Sequence, residues 1–223
     1  DDDKTDYYFI NSIGSDEVGT GDYFGPIIVC ASYVNRKDIS FLEELGVRDS
    51  KKLTDDKILK IATEIIKRIP HQEEIISNIE YNNMQDNGYN MNKIKAIYHN
   101  KAILGLMKKN NFVYDMVVVD QFTPERNYYN YLKSEPNVFR KIKFTTKAED
   151  KCLSVACSSI ISRYLFLKEI EKMGNNLGSF IPKGASTLVD DYGKKIVQNF
   201  GKEKLRSIAK LNFKNTEKIL NEN

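Results

Sequence analysis

GSDEVGTGDYFGP, residues 14–26, is the stretch that decides the fold, because it sets two adjacent carboxylates and a glycine-rich turn between two apolar runs. Residues 7–13 are predicted to form one strand, and IIVCASYV, residues 27–34, a second. Asp16 and Glu17 would then stand where the first strand leaves the sheet, so that both can direct oxygen atoms to one cation. The alternative explanation of the same residues is a solvated acidic hairpin tip.

A third carboxylate ends DMVVVDQF, residues 115–122, a β-branched run that is typical of a buried strand. An acid at the end of a buried strand is costly unless it is paired or bound to metal. Ligands also bind at the carboxyl ends of strands in open α/β sheets. Asp120 is therefore a candidate ligand, and its alternative role is to cap the following helix, which Pro124 would open.

A fourth carboxylate, Glu149, follows KIKFTT, residues 141–146, which is predicted to be a strand. One long helix is predicted after it, and its apolar positions at i, i+3 and i+4 include Leu153, Ala156 and Ile160. Glu149 would lie in the first turn of that helix, where the partial positive charge of the helix terminus favours a carboxylate. This placement suits a metal ligand and equally suits a capping acid.

The remaining patterns predict an α/β protein with a mixed central sheet and helices on both faces. Thr54 is the predicted N-cap of an amphipathic helix that Pro70 ends, and a third strand is expected around residues 73–81. A further helix is predicted at about residues 92–108, and the tail from about residue 187 is predicted to be helical and basic. The first two strands would form an antiparallel hairpin edge on a sheet that also contains parallel strands.

Composition narrows the function classes. The net charge of the 223 residues is only +3, but the last thirty residues hold eight basic and three acidic side chains, from Lys194 to Lys218. This asymmetry suits a basic face for a polyanion or a solvated helical surface. Three cysteines without a signal peptide indicate reduced thiols in the cytoplasm, and no apolar stretch reaches membrane-spanning length. His71 and His99 lie outside the acidic motifs, which argues against a histidine base or a zinc site.

Five motifs, in this order, resemble ribonuclease HIII, the relative of ribonuclease HII. They are GSDEVGTGDYFGP, DSKKL at 49–53, VVVDQF, TKAE at 146–149 with the helix after it, and IPKGAS at 181–186. The resemblance extends from about residue 8 to 220. Type HII enzymes typically carry Gly-Arg-Gly where this chain has Gly19-Thr20-Gly21, and Asp where it has Glu149. Both departures favour type HIII.

The resemblance implies an RNase H-like fold and an endonuclease that cleaves the RNA strand of RNA–DNA hybrids, leaving 5′-phosphate and 3′-hydroxyl ends. It implies two Mg²⁺ or Mn²⁺ ions per site, held by Asp16, Glu17, Asp120 and Glu149, which are also the catalytic residues. The chemistry of these residues agrees, because oxygen-only ligand sets suit hard cations. Two such ions can activate a water and neutralise the departing oxygen.

The substrate-binding residues that the resemblance implies are Gly19, Thr20, Gly21, Ser50, Lys51, Lys52 and Lys147. The three-residue glycine segment is similar to the family's minor-groove reader, whose backbone contacts 2′-hydroxyl groups. A plain turn with positive φ is the alternative. The serine and the lysines are similar to phosphate-contacting positions, and solvated surface is their alternative.

Asp1-Asp2-Asp3-Lys4 resembles the end of an acidic, protease-cleavable tag, and a native linker is the alternative. Residues 1–6 are thus expected to be tag or linker, and residues 7–223 an RNase H-like catalytic domain with a helical basic C-terminal segment. Ribonuclease HIII usually carries an N-terminal substrate-binding domain, and almost nothing precedes the first strand here. The expectation is a monomeric catalytic domain alone, which binds a hybrid duplex and no membrane.

Two rival functions remain open at the level of sequence. One is a ribonuclease HII-type enzyme that acts at single ribonucleotides, and the other is a non-catalytic nucleic-acid-binding module on the same fold. Asp190 and Asp191 are interpreted as helix-start acids, with an approach to the active site as the alternative.

Overall fold

The computed structural model describes residues 7–221, so the tag-like segment Asp1–Lys4 lies outside the described residues. Five strands form one mixed sheet in the order β3-β2-β1-β4-β5. They are β1 (Ser12–Val18), β2 (Ile27–Val34), β3 (His71–Ile76), β4 (Met116–Asp120) and β5 (Ile142–Thr145). The pairs β1–β4 and β4–β5 are parallel. The predicted fold class is confirmed.

Helices connect and follow the strands. They are α1 (Ile39–Glu44), α2 (Asp55–Arg68), α3 (Asn78–Asp86), α4 (Met91–Lys109), α5 (Glu125–Tyr131), α6 (Ala148–Lys151), α7 (Leu153–Leu177), α8 (Thr187–Phe200), α9 (Leu205–Ile208) and α10 (Asn215–Leu220). The Thr54 hydroxyl accepts a bond from Lys57 N at 3.3 Å, which confirms the predicted cap of α2. No helix within residues 7–221 is long and apolar enough to cross a membrane.

Two strand predictions were wrong in their limits. The first strand begins at Ser12 rather than at residue 7, so Asp16 and Glu17 lie within β1 and not in the turn after it. Tyr7 is buried without being in a strand, and its N–H donates to Lys151 O at 3.1 Å. The third strand ends at Ile76, because the Ser77 hydroxyl accepts from Glu80 N at 3.1 Å and starts α3.

The long helix predicted after β5 is two helices. Cys152 adopts an extended backbone (φ −141°, ψ 120°) between α6 and α7. Its buried thiol lies 3.3 Å from the Ser12 hydroxyl and 3.2 Å from that of Ser154. The break makes α6 a separate single turn, and Glu149 lies in that turn.

The chain divides into two compact units. Of residues 7–221, the first contains 7–17, Val29–Glu74 and Met91–Tyr164, and the second contains Val18–Ile28, Ile75–Asn90 and 165–221. A small apolar cluster within the first unit packs β4 against α6 and the start of α7: Tyr7, Val118, Ala148, Cys152 and Val155. Within the second unit a larger cluster, which includes Phe24, Phe166, Ile196 and Ile208, joins the C-terminal helices to the segment after β1.

Candidate active site

The sheet register places Asp16 and Asp120 side by side. Ser15 of β1 pairs with Val119 of the parallel strand β4, and each carboxylate is the next residue of its strand. Successive residues of a strand alternate in direction, so the two carboxylates share one face at the carboxyl ends of neighbouring strands. Ligands bind at this end of parallel strands.

Asp120 also fixes the start of α6. Its Oδ1 accepts a hydrogen bond from Ala148 N at 3.1 Å, and Glu149 is the next residue. The alternative that Asp120 caps the following helix is wrong, because the N-cap of α5 is Pro124 and makes no side-chain cap bond. The acid at the end of β4 therefore brings the first turn of α6, with Glu149, to the same place.

Asp16 has an uncompensated charge. Burial raises the pKa of Asp16 well above its usual range, and the charges of Glu17, Glu149 and Asp120 raise it further. The hydrogen bond from Glu17 N to Asp16 Oδ1, at 2.8 Å, acts in the opposite direction. No cationic side chain within the described part of the chain pairs with Asp16. The four predicted carboxylates therefore lie close enough to repel one another around it.

Glu17, by contrast, is held between two basic side chains of α4. Lys95 Nζ lies 2.5 Å from Glu17 Oε1, and His99 Nε2 lies 2.7 Å from Oε2. Burial alone would raise the pKa of Glu17, but the charges and hydrogen bonds of His99 and Lys95 outweigh it and lower the pKa to about 2. Glu17 is thus ionised and neutralised by the chain itself.

His99 was missed by the sequence reasoning, which set both histidines aside. Its ring is fully buried, with Nδ1 2.6 Å from the Ser15 hydroxyl, and it stacks on Phe122 at 5.5 Å between centroids. Since the ionised Glu17 accepts from Nε2, the ring orientation is set from both sides. The available signal was the i, i+4 spacing of Lys95 and His99, which places two basic side chains on one face of a predicted helix.

The DSKKL segment lies against the carboxylates. The Ser50 hydroxyl is buried and donates to Glu149 Oε1. Lys51 Nζ lies 3.1 Å from Asp150 Oδ2. The bond to Asp150 is the main cause that raises the pKa of Lys51, and the charges of Glu149 and Asp120 add to it. Ser50 therefore contacts one of the four predicted carboxylates, and Lys51 pairs with the residue next to it.

The other two predicted lysines, Lys52 and Lys147, are exposed. Lys147 also has a left-handed backbone (φ 52°, ψ 40°), which is unfavourable for a residue with a Cβ. It immediately precedes α6. A side chain is thus held at a position that glycine would occupy with less strain.

The donor set of the site fits a hard cation in its chemistry, since it consists of carboxylate oxygens. Within residues 7–221, however, no three His, Cys, Asp or Glu side chains are already arranged as ligands of one ion. The protein's own donors engage Glu17, Asp120 and Glu149. These contacts use one oxygen each of Asp120 and Glu149 and both oxygens of Glu17, so Glu17 is the carboxylate that a metal would share with donors of the chain.

The glycine segment lies in the second unit, and its two glycines differ. Gly19 has φ 107°, and a Cβ there would lie 2.3 Å from Pro26 O, so the chain itself requires glycine. Asp22 N closes the turn on Gly19 O at 3.3 Å. A Cβ at Gly21 would meet nothing within 4 Å. The plain-turn explanation therefore accounts for Gly19 and leaves Gly21 without a structural reason.

Two charged residues near the C terminus are structural. Asp190 is buried in the first turn of α8 and accepts from Asn215 Nδ2 at 2.6 Å, which confirms its interpretation as a helix-start acid. Asp191 is exposed. Lys210, counted above as part of a basic face, is fully buried and contributes nothing to the surface.

The mixed five-stranded sheet matches the sheet of solved ribonuclease HIII structures. The family model described as Ribonuclease HII matches residues 13–216. Ribonuclease HIII of Phytoplasma mali is 48% identical over 209 residues, which are 93% of this chain and 72% of that protein. Ribonuclease HIII of Lactococcus lactis is 45% identical over 211 residues, or 94% and 72% of the two chains.

The crystal structure of Bst-RNase HIII in complex with Mn²⁺ has a TM-score of 0.93 to this chain and is 40% identical to it. The match covers 96% of this chain and 70% of that chain. The chain belongs to the ribonuclease HII family, and its close relatives in that family are ribonucleases HIII. It is a ribonuclease H by family, and the resemblance of the five motifs is confirmed.

Proposed function

We propose that this chain hydrolyses the RNA strand of RNA–DNA hybrids with Mg²⁺ or Mn²⁺, leaving 5′-phosphate and 3′-hydroxyl ends. Asp16, Glu17, Asp120 and Glu149 would hold two ions. One observation carries the proposal: among residues 7–221, Asp16 is an acid without a cationic partner, and the carboxylates of Glu17, Asp120 and Glu149 surround it. The Mn²⁺ complex of Bst-RNase HIII supports the choice of metal.

The chain's own contacts orient the ligands before any ion arrives. Lys95 and His99 hold both oxygens of Glu17, and Ala148 N holds one oxygen of Asp120. The Ser50 hydroxyl holds one oxygen of Glu149. When bound, the ions would activate a water for attack on the phosphorus and neutralise the departing 3′-oxygen. The carboxylates then need little rearrangement during the reaction.

Substrate choice is assigned to two groups of residues. The backbone of Gly19, Thr20 and Gly21 reads 2′-hydroxyl groups, which distinguish RNA from DNA. Ser50, Lys51, Lys52 and Lys147 approach phosphates, which give affinity and register. The open space beside Gly21 supports the first assignment, and the exposure of Lys52 and Lys147 supports the second. The enzyme is proposed to act as a monomer in the cytoplasm, in keeping with three free, buried cysteines.

Cleavage of a labelled RNA–DNA hybrid, with and without Mg²⁺, tests the activity. Asp120→Asn keeps the shape of the side chain and an oxygen for Ala148 N, so we expect cleavage to fall by about 10³ or more while binding survives. The matched control is Asp115→Asn, immediately before the first residue of β4, where the carboxylate accepts from Asn11 N at 3.0 Å. Near-normal turnover of folded Asp120→Asn would remove Asp120 from the site.

Gly21→Ala tests the reading of 2′-hydroxyls. The added methyl group contacts nothing in the chain, so the melting temperature should not change. If the backbone must approach the RNA closely, affinity for a hybrid should fall by about tenfold relative to a DNA duplex, which is about 1.4 kcal/mol. An unchanged ratio would contradict the assignment.

A strand with a single embedded ribonucleotide separates the two enzyme types. An enzyme of type HIII should cut it poorly compared with an all-RNA strand in a hybrid. Efficient cleavage at the lone ribonucleotide would favour the HII-type alternative. Tight hybrid binding without any cleavage would favour the non-catalytic module.

A further inference from the structure

Lys210 is one of the largest fully buried side chains in the described part of the chain, and no proposed step of the reaction uses it. Lysine is almost never fully buried unless its charge is paired. Its ammonium group forms no ion pair with residues 7–221, and it donates instead to two backbone carbonyls, Asp22 O and Gly25 O, each at 2.6 Å. A chain that places a lysine here uses it to hold those carbonyls.

Both carbonyls belong to residues 19–25, which begin with the glycine turn. We call this segment the reading loop. The backbone around Lys210 runs along the same loop: Lys210 N donates to Tyr23 O at 2.8 Å, and Gly25 N donates to Ile208 O at 2.9 Å. Phe24 and Ala209 form an isolated antiparallel bridge. The loop is therefore paired to residues more than 180 positions later, with the ammonium group of Lys210 at the centre of the pairing.

Most of the hydrogen bonds that hold the loop come from residues outside it. Gly19 and Gly25 have φ of 107° and 91°. Outside the Lys210 segment, Asn78 Nδ2 reaches Gly25 O at 2.9 Å, and Asp22 Oδ1 accepts from Gly184 N at 2.7 Å. Burial lowers the pKa of Lys210 to about 7, while the charge of Asp22 acts against that shift. The ammonium group is thus kept in an unfavourable place, where its function is to bind the two carbonyls.

We infer that Lys210 is the positioning residue of the reading loop, and that it holds the backbone of residues 19–21 in the shape that recognises an RNA strand. This inference rests on the proposed function of the loop and extends it to a residue near the other end of the chain. Lys210 touches no substrate. Removal of its ammonium group should weaken the preference for an RNA–DNA hybrid over a DNA duplex. The rate of hydrolysis at saturating substrate should stay nearly unchanged.

The test compares Lys210→Met, which keeps the length and apolar stem but removes the donor, with Lys214→Met, which removes an exposed lysine four residues later. KM and kcat are measured on an all-RNA hybrid, and competition by a DNA duplex gives the discrimination ratio. For Lys210→Met we expect KM to rise and the ratio to fall by about tenfold, with kcat within about twofold. For Lys214→Met we expect that affinity falls, if at all, by the same factor for the hybrid and for the DNA duplex, because a phosphate contact does not depend on the 2′-hydroxyl.

Should Lys210→Met not fold, Asn78→Ser removes a second donor to Gly25 O and should shift the ratio in the same direction by a smaller factor. A folded Lys210→Met variant with a lower melting temperature and an unchanged ratio would overturn the inference, since Lys210 would then only stabilise the fold. Gly21→Ala distinguishes a failure of the Lys210 inference from a failure of the proposed reading loop. If it lowers the ratio and Lys210→Met does not, the inference alone fails; if neither lowers the ratio, the proposed reading loop fails.

Discussion

Two neighbouring carboxylates of the site should respond in opposite ways to the same substitution. Glu17→Gln removes a negative charge that contacts both Lys95 and His99. Asp16→Asn removes a charge that has three carboxylate neighbours and, among residues 7–221, no cationic partner. Both variants should lose hybrid cleavage, because each loses a proposed metal ligand. Their stabilities without metal should diverge: the Glu17 variant becomes less stable than the wild type and the Asp16 variant more stable.

The size of the divergence follows from the contacts. Glu17→Gln leaves the Lys95 ammonium, whose side chain is only 12% exposed, without its counter-ion. Breaking a buried pair in this way costs about 3–5 kcal/mol. The pKa of Glu17, lowered from 4.5 to about 2, corresponds to about 3 kcal/mol at 1.36 kcal/mol per unit. Asp16→Asn should raise stability, because it removes a buried charge that the carboxylates of Glu17, Glu149 and Asp120 repel.

Urea unfolding and melting curves in EDTA measure both changes. For a chain of this size, about 3 kcal/mol lowers the melting temperature by roughly 6–12 °C. Glu44→Gln, at an exposed site, is the control and should stay within about 0.5 kcal/mol of the wild type. The double variant Glu17→Gln/Lys95→Met should recover much of the loss, because the stranded cation is then gone. Equal stability of the two single variants, or no recovery in the double variant, would refute the reasoning.

Three further predictions concern metal, backbone and pH. Mg²⁺ or Mn²⁺ at a hundredfold excess over the dissociation constant should stabilise the fold by about 2.7 kcal/mol, and identical melting curves in EDTA and in Mn²⁺ would argue against the cluster. Lys147→Gly should be about 1 kcal/mol more stable than Lys147→Ala, because only the first relieves the left-handed backbone (φ 52°); equal unfolding free energies would contradict this. In EDTA, folded Asp16 binds its proton more tightly than unfolded Asp16, so its contribution to stability decreases as pH rises from its usual pKa range towards the raised value. Asp16→Asn should remove that slope, which is at most about 1.4 kcal/mol per pH unit, and identical wild-type and variant slopes would disprove it.

Local patterns were sufficient for much of the fold. The strand at Ile27–Val34, the buried strand that ends on Asp120 and the helices α2 and α4 follow from β-branched runs, apolar periodicity and the Thr54 cap. The first strand was misplaced because Tyr7 is buried by packing outside the sheet, which a run of apolar residues cannot distinguish from a strand. The break at Cys152 was missed for a similar reason, since its extended backbone is accompanied by contacts with Ser12, 140 residues earlier.

Motifs predicted that the four acids belong to one set, and they carry no information on how those acids differ. The difference comes from α4, whose Lys95 and His99 lie about 80 residues from Glu17 in sequence and reach both of its oxygens. The role of Lys210 could not be predicted from sequence either, because a lysine in a basic tail looks like a surface residue until its carbonyl partners are known. Since Lys95 and His99 already neutralise Glu17, and no cation within residues 7–221 pairs with Asp16, Asp16 is the carboxylate whose repulsion a bound cation would relieve most. Binding of a divalent ion should therefore depend more steeply on Asp16 than on Glu17, although both belong to the same two-residue motif.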